Sequence, residues 1–245
     1  MMEDIIEKLR DDAQYYGAFG KQFLSNSDIG ALLGNPKEFG VSQPDNANFA
    51  KGRYFHQSIL EPNKAAETLH IDCSTRTTKM YKEYCEEHSL EFALLTKEIE
   101  ELDVLVRTMM SNYHFFEDIR NDGNEYEVPA VGEIHGMKWK GKADIVHPDM
   151  LIDIKTTGKI DDFKYSARKY NYDSQCYIYQ QLFGKPLVFY VIDKTTGMLG
   201  IYRPTEEFIK RGEDKVIQAI EVYKKFFSES KEEDINNYYI NEELN

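Results

Sequence analysis

Gly141-Lys142-Ala143-Asp144-Ile145-Val146, the turn His147-Pro148-Asp149, and then Met150-Leu151-Ile152-Asp153-Ile154-Lys155-Thr156-Thr157 form the stretch that decides how this chain is read. Two short apolar runs flank a Pro-Asp turn, the pattern of two strands folded back on each other. Side chains two apart on a strand share a face, so Asp153 and Lys155 point one way while Ile152 and Ile154 point into a core. The turn allows Asp144 to lie across from Asp153. Two carboxylates converging beside a lysine make a site for a hard divalent cation, with positions left open for phosphate and water. Lys155 is then placed to orient or deprotonate the water and to offset developing negative charge. A charged pair ending a buried strand is unfavourable unless something uses it.

Working outward, Glu127 to His135 reads as a strand, Gly136 as a turn, Met137 to Val146 as the next strand and Met150 to Lys155 as the third, together an antiparallel meander. A helix is predicted from Asp162 to Phe183, closed by Gly184 and Pro186. Two further strands, Leu187–Asp193 and Met198–Arg203, flank Thr195-Thr196-Gly197. A last helix runs from Thr205 to Phe227, with Thr205 as its cap and Glu206 and Glu207 in its first turn. The first third is helical: Asp4 to Tyr16, a short helix from the Ser25-Asn26-Ser27-Asp28 cap through Leu33, and Asp45 to Glu61 stopped by Pro62. One or two long amphipathic helices fill Thr78 to Asp118, their apolar stripe marked by Phe92, Leu95, Ile99, Leu102, Val106 and Met109. This divides the chain into an N-terminal helical region (1–120), a core (121–230) and an acidic tail (231–245) that is expected to fray.

The totals narrow the field. With 245 residues, 41% of them hydrophobic, the chain is long enough to bury a sizeable core. No window approaches the roughly 18 consecutive apolar residues of a membrane span. The start, Met-Met-Glu-Asp-Ile-Ile-Glu-Lys, lacks the basic segment and apolar run of a secretory signal, so a cytoplasmic location is expected. Cys73, Cys85 and Cys176 are scattered without a CxxC pair; no disulfide framework and no iron–sulfur cluster is expected. The net charge of −13 is unlike that of a protein coating nucleic acid nonspecifically. The acidic excess, however, sits largely at Glu86–Glu101 and Glu229–Glu243, whereas Lys138 to Lys169 leans basic. A local basic face on an acidic body is compatible with a site that takes a phosphate chain. Lys138, Lys140, Lys164, Arg168 and Lys169 are candidate phosphate contacts, and Tyr165, Tyr170 and Tyr172 between them are candidate stacking rings. Trp139 alternates with lysines and is expected to pack on the core.

Companions to the central motif lie along the chain in a fixed order: Gly52-x-x-x-His56, Glu133, Gly141-x-x-Asp144, Asp153-x-Lys155-Thr156-Thr157, and Gln175-x-x-x-Tyr179, the last pair sharing a helical face. This order, together with Leu24-Ser25-Asn26-Ser27-Asp28 and Asn35-Pro36-Lys37-Glu38-Phe39, resembles RecB-like nucleases of the PD-(D/E)xK superfamily, in particular the exonuclease VIII (RecE) type of phages and prophages, over residues 24 to 205. The resemblance implies an α/β fold with a restriction-endonuclease-like core, a mixed central sheet flanked by helices. It implies Mg2+-dependent hydrolysis of DNA, with Mn2+ as a substitute. Asp144 and Asp153 would ligate the metal, joined by the Ile154 carbonyl, by His56 and by Glu133, and Lys155 would be the catalytic lysine. Gln175 and Tyr179 would position the DNA or the lysine. Exonucleolytic, 5′ to 3′ action, a single-strand annealing protein as partner and a homo-oligomeric ring also follow from the resemblance and not from spacing. Pro148-Asp149 spells the superfamily name but sits in the tight turn, where both residues are expected for conformational reasons; Asp149 is the alternative ligand to Asp144. An endonuclease on the same site and a catalytically silent nucleic-acid-binding protein are the competing readings.

Overall fold

The computed structural model describes residues 2–42 and 44–241. Its start is two helices, α1 (Met2–Arg10) and α2 (Asp12–Tyr16), and not the one predicted, because Asp11 turns extended and accepts the Gln14 N–H at 2.9 Å. A capping box opens α3 (Asn26–Gly34), with the Ser25 N–H donating to Asp28 Oδ2 at 2.7 Å. The helix α4 (Ala47–Leu60) is capped by the Asn46 side chain, and Pro62 opens the short α5 (Pro62–Ala66). Next come β1 (His70–Ile71), α6 (Lys79–Glu87), β2 (Leu94–Leu95), α7 (Thr96–Ser111) and α8 (Tyr113–Ile119). The block predicted as one or two helices is therefore three, with β2 between them pairing in parallel with β1.

The main sheet sets β3 (Glu125–Ile134), β4 (Met137–Val146), β5 (Leu151–Thr157), β6 (Leu187–Asp193) and β7 (Leu199–Tyr202) side by side in chain order. The first three form the predicted antiparallel meander. β5 and β6 run parallel, and β6 and β7 antiparallel, so the sheet is mixed. A parallel pair needs a crossover, here α9 (Phe163–Lys169) and α10 (Tyr172–Phe183). The single helix predicted over this span is broken at Asn171, which sits at φ 57°. Asparagine tolerates that left-handed conformation better than most residues. Its carbonyl accepts Ser174 Oγ at 2.9 Å and its side chain accepts Lys215 Nζ at 2.8 Å, so side chains hold the break in place. The chain closes with α11 (Glu206–Phe226), whose Thr205 cap accepts the Phe208 N–H.

Both faces of the sheet are buried, which explains why β6 reads Leu-Val-Phe-Tyr-Val-Ile without a polar alternation. On one face Trp139, Ala143, Leu151, Phe189 and Val191 pack with residues of α3, α10 and α11. On the other, Ile145, Ile152, Ile154, Tyr190 and Ile192 pack with Phe55, Ile59, Leu102 and Met109 of α4 and α7. The first 120 residues thus supply helices to both layers. Where it is described, the acidic tail touches the end of α11: Lys225 Nζ lies 3.1 Å from Glu233, and the Tyr238 ring meets that of Phe226 edge-on at 5.9 Å. Residues 242–245 of that tail lie outside the described residues. The three cysteines are free. Among the described residues no helix is long and apolar enough to cross a membrane.

Candidate active site

The β4–β5 ladder holds at Ile145–Ile152 and Val146–Leu151 and goes no further. Continuing that register would set Asp144 opposite Asp153. There the strands part, and the Asp144 side chain takes over from the missing main-chain partner, its Oδ2 accepting the Ile154 N–H at 2.8 Å. The alternation of β4 slips at the same residue. Ala143 packs toward α10, whereas Ile145, two residues on, packs toward α4 and α7. On β3, Glu127 stands across from Asp144 at φ 51°, and the ladder skips this pair. A non-glycine residue held there stores strain on the order of 1–3 kcal/mol, a feature that clusters at functional sites.

Three elements bring side chains to this gap. From α4, His56 Nδ1 lies 3.2 Å from Asp144 Oδ2. From β5, Asp153 turns toward α10 and is 2% exposed. Its Oδ1 accepts Gln175 Nε2 at 2.6 Å, and Lys155 Nζ lies 2.6 Å from its Oδ2. From α10, the Tyr179 hydroxyl donates to the Lys142 carbonyl at 2.9 Å and accepts the Lys142 N–H at 3.3 Å. That ring lies flat against β4 because residue 141 is glycine: a Cβ there would stand 3.0 Å from Tyr179 Cε2. Gln175 thus holds Asp153, and Tyr179 holds the β4 backbone at Lys142. His56, Asp144, Asp153, Lys155, Gln175 and Tyr179 all line one cleft of about 420 Å³, together with Glu61 and Glu127.

The electrostatics are those of a compact charge cluster. Burial pushes the Asp144 carboxyl up, but the His56 ring, the Lys155 ammonium and the Ile154 N–H outweigh it and hold Asp144 below the ordinary carboxylate range. Burial dominates at Asp153, which is raised although Lys155 pulls the other way. His56 loses by burial and gains more from Asp144, so its pKa is raised. Lys155 follows the same pattern: burial lowers it, Asp153 and Asp144 raise it, and the net direction is up. Glu127 is pushed up to about 8, first by burial and then by Asp144.

Among the described residues no three His, Cys, Asp or Glu side chains are arranged to hold a metal ion as they stand, but the donor types gathered here suit a divalent cation. Asp153 Oδ2 is buried against the Lys155 ammonium at 2.6 Å. Two carboxylates and one imidazole make a predominantly oxygen donor set of the kind hard divalent ions take. Ile154 is anchored by its N–H on Asp144, and its side chain is in the core.

Several residues singled out in the sequence lie elsewhere. Glu133 is exposed opposite Lys138, six residues along β3 from Glu127, or about 20 Å at strand rise; it is not a carboxylate of this cleft. Lys138 borders a separate depression beside Phe23 and Tyr223. Lys140 is buried, its ammonium bonded to the Tyr15 carbonyl and lying 4.1 Å from the centre of the Tyr15 ring, so it is a structural cation and no phosphate contact. Lys164 and Arg168 line a small cleft with Phe163 and Phe208. Lys169 lies against Tyr170. Tyr172 does approach the cluster, its ring centre 5.0 Å from Lys155 Nζ. Trp139 is fully buried, as its alternation suggested. The residue that sequence reasoning missed is Glu127. Its signal was available: the Gly136 turn sets Ile134 against Met137, and counting back along the hairpin puts residue 127 opposite 144.

The model of a family described as "PDDEXK-like domain of unknown function (DUF3799)" matches residues 31–236. The chain belongs to this PDDEXK-like family. No curated protein matches it. Among solved structures, the PDDEXK-like chain is similar to one from Eubacterium rectale described as "Putative exonuclease", with 15% identity, 92% of each chain covered and a TM-score of 0.59. That likeness shows a shared fold: a restriction-endonuclease-like core with a mixed five-stranded sheet between helices. A second structure, SSO0001, overlaps 67% of this chain and 85% of its own at 17% identity and a TM-score of 0.31, too low to bear on the fold.

Proposed function

We propose that this PDDEXK-like chain is a divalent-metal-dependent deoxyribonuclease that hydrolyses phosphodiester bonds from DNA ends. The observation that carries the reading is the convergence of Asp144, Asp153, His56 and Lys155 on the gap where β4 and β5 part. Membership of the PDDEXK-like family supports hydrolysis of nucleic acid, and the structural neighbour's description supports action from an end. Asp144, Asp153 and His56 would hold the cation, with the Ile154 carbonyl as a further ligand. A bound divalent cation supplies charge to polarise the scissile phosphate and to favour ionisation of the attacking water. Lys155 orients that water and offsets charge building on the phosphate. Gln175 keeps the Asp153 carboxylate turned to the site, and Tyr179 keeps β4 in place beneath Asp144.

Mg2+ is the ion proposed, with Mn2+ as a substitute. The 5′ to 3′ direction, a role in phage-type recombination with a single-strand annealing partner, and assembly as a ring rest on the motif resemblance to the exonuclease VIII type. End-labelled linear DNA and closed circular DNA, incubated with magnesium, test the reading against an Asp153→Ala control. Loss of linear DNA from one end with circles intact supports the exonuclease. Nicking of circles points to an endonuclease, and inertness toward both removes the enzyme reading.

A further inference from the structure

Behind α4, a second groove of about 440 Å³ adjoins the cleft that holds Asp144 and Asp153, and Gly52 lines both. Among the described residues its lining contains no Asp or Glu, in a chain with 43 acidic residues against 30 Lys and Arg. It presents Phe49, Tyr170 and Tyr172 with Lys51 and Lys194. Phe49 is 54% exposed and Tyr170 58%, so two ring faces stand in water beside the groove. Tyr172 links the groove to the chemistry: its ring lies 6.2 Å from that of Tyr170 and 5.0 Å from the Lys155 ammonium. Lys51 shares its charge with Glu98 at 2.8 Å, whereas Lys194 is exposed. A third cleft, which meets the active cleft at Arg53 and Gln57, is lined by Asp45, Glu67 and Glu91 and would repel a phosphate chain. The charge pattern therefore favours one side of α4.

Gly52 stands at the border of groove and cleft. A glycine inside a helix costs about 1 kcal/mol relative to alanine, and packing does not account for this one, since a Cβ at 52 would meet no atom within 4 Å. A larger side chain there would project into the open space that both border.

We propose that this acid-free groove is the track of a single DNA strand, with bases stacked on Phe49 and Tyr170 and the backbone crossing α4 at Gly52 to reach the Asp144–Asp153 site. The identity of that site rests on the nuclease reading; the groove adds the form of substrate. Stacking platforms with scattered cations suit unpaired bases and are tolerant of sequence.

Binding of a fluorescently labelled oligothymidine, followed by anisotropy in magnesium with full-length Asp153→Asn protein as the parent, tests the track without cleavage. Phe49→Ala and Tyr170→Ala should each weaken binding about tenfold, and Gly52→Leu at least as much. Tyr113→Ala, which removes a ring that is 69% exposed outside both clefts, should leave it unchanged. Tyr170→Leu, which keeps apolar volume but loses the stacking face, covers the case in which the alanine variant fails to fold. Parent-like binding by the folded Phe49, Tyr170 and Gly52 variants, or no binding by the parent, overturns the track. Cleavage by the unmutated chain, assayed in parallel, separates the two ideas: intact cleavage with unaffected binding removes the groove alone, and absent cleavage removes the nuclease reading.

Discussion

Asp144 Oδ2 accepts the Ile154 main-chain N–H at 2.8 Å at the point where the β4–β5 ladder ends. A side chain thereby completes a sheet hydrogen bond and, in doing so, is aimed at the gap that its strand has opened. Fold and site are coupled through this one contact, and the consequences can be measured.

At Asp153, activity and stability should part company. Burial raises its pKa against the pull of Lys155, so keeping the carboxylate charged in the fold costs stability. Asp153→Asn should lower cleavage by a factor on the order of 10²–10³ or more. The thermal midpoint in EDTA should not fall, as expected where function is held at the expense of stability. A drop in both would mean that the charged carboxylate stabilises the fold.

Gln175 touches no substrate position in this account; it holds Asp153 through a 2.6 Å hydrogen bond. Partners of this kind typically contribute about 10–100-fold to metal affinity or activity. Gln175→Ala should raise the magnesium concentration for half-maximal cleavage by about that factor, with kcat partly restored at saturating metal. A kcat loss insensitive to magnesium would assign it another role.

Gly141→Ala tests the fit of Tyr179 against β4. The added Cβ would meet Tyr179 Cε2 at 3.0 Å and Leu182 Cδ1 at 3.2 Å. Crowding of this degree costs about 1–3 kcal/mol, to be read in chemical denaturation. The same variant should lose activity, because the ring it displaces bonds both main-chain groups of Lys142, two residues before Asp144.

Away from the site, Glu98 is nearly buried between α4 and α7. It accepts the Leu95 N–H at 3.0 Å and pairs with Lys51 at 2.8 Å and with Arg76. Burial raises its pKa, but the Leu95 N–H and the two cations outweigh it, so the net shift is downward from 4.5. A carboxyl depressed in the folded state adds stability that is full above its unfolded pKa and lost as pH falls through the folded value. Glu98→Gln should therefore cost about 1–3 kcal/mol at neutral pH, and the gap to the parent should shrink as pH falls below about 4.5. A gap that stays constant down the acid limb contradicts this.

The legible part of the fold was the part with strong local signals. The meander followed from Gly136 and Pro148-Asp149, and the caps at Ser25 and Thr205 from their side chains. Helix breaks at Asp11 and Asn171 were hidden because each is stabilised by bonds to distant or capping groups and not by Gly or Pro. At the site, His56, Asp144, Asp153, Lys155, Gln175 and Tyr179 were chosen from their order and converge in space. Glu133 enters through the motif order of the resemblance, whereas Glu127 is marked by the hairpin register alone, which sets it opposite Asp144. Lys140 was misassigned because a lysine on a basic strand reads as surface, whereas tertiary packing buries it under Tyr15.

The most direct test is the anomalous signal from crystals of the protein soaked in manganese. The account predicts a peak within coordination distance of both Asp144 and Asp153, on the side facing His56, and its disappearance in Asp144→Asn. Manganese bound elsewhere with this gap empty, or a peak that survives the loss of Asp144, would contradict it.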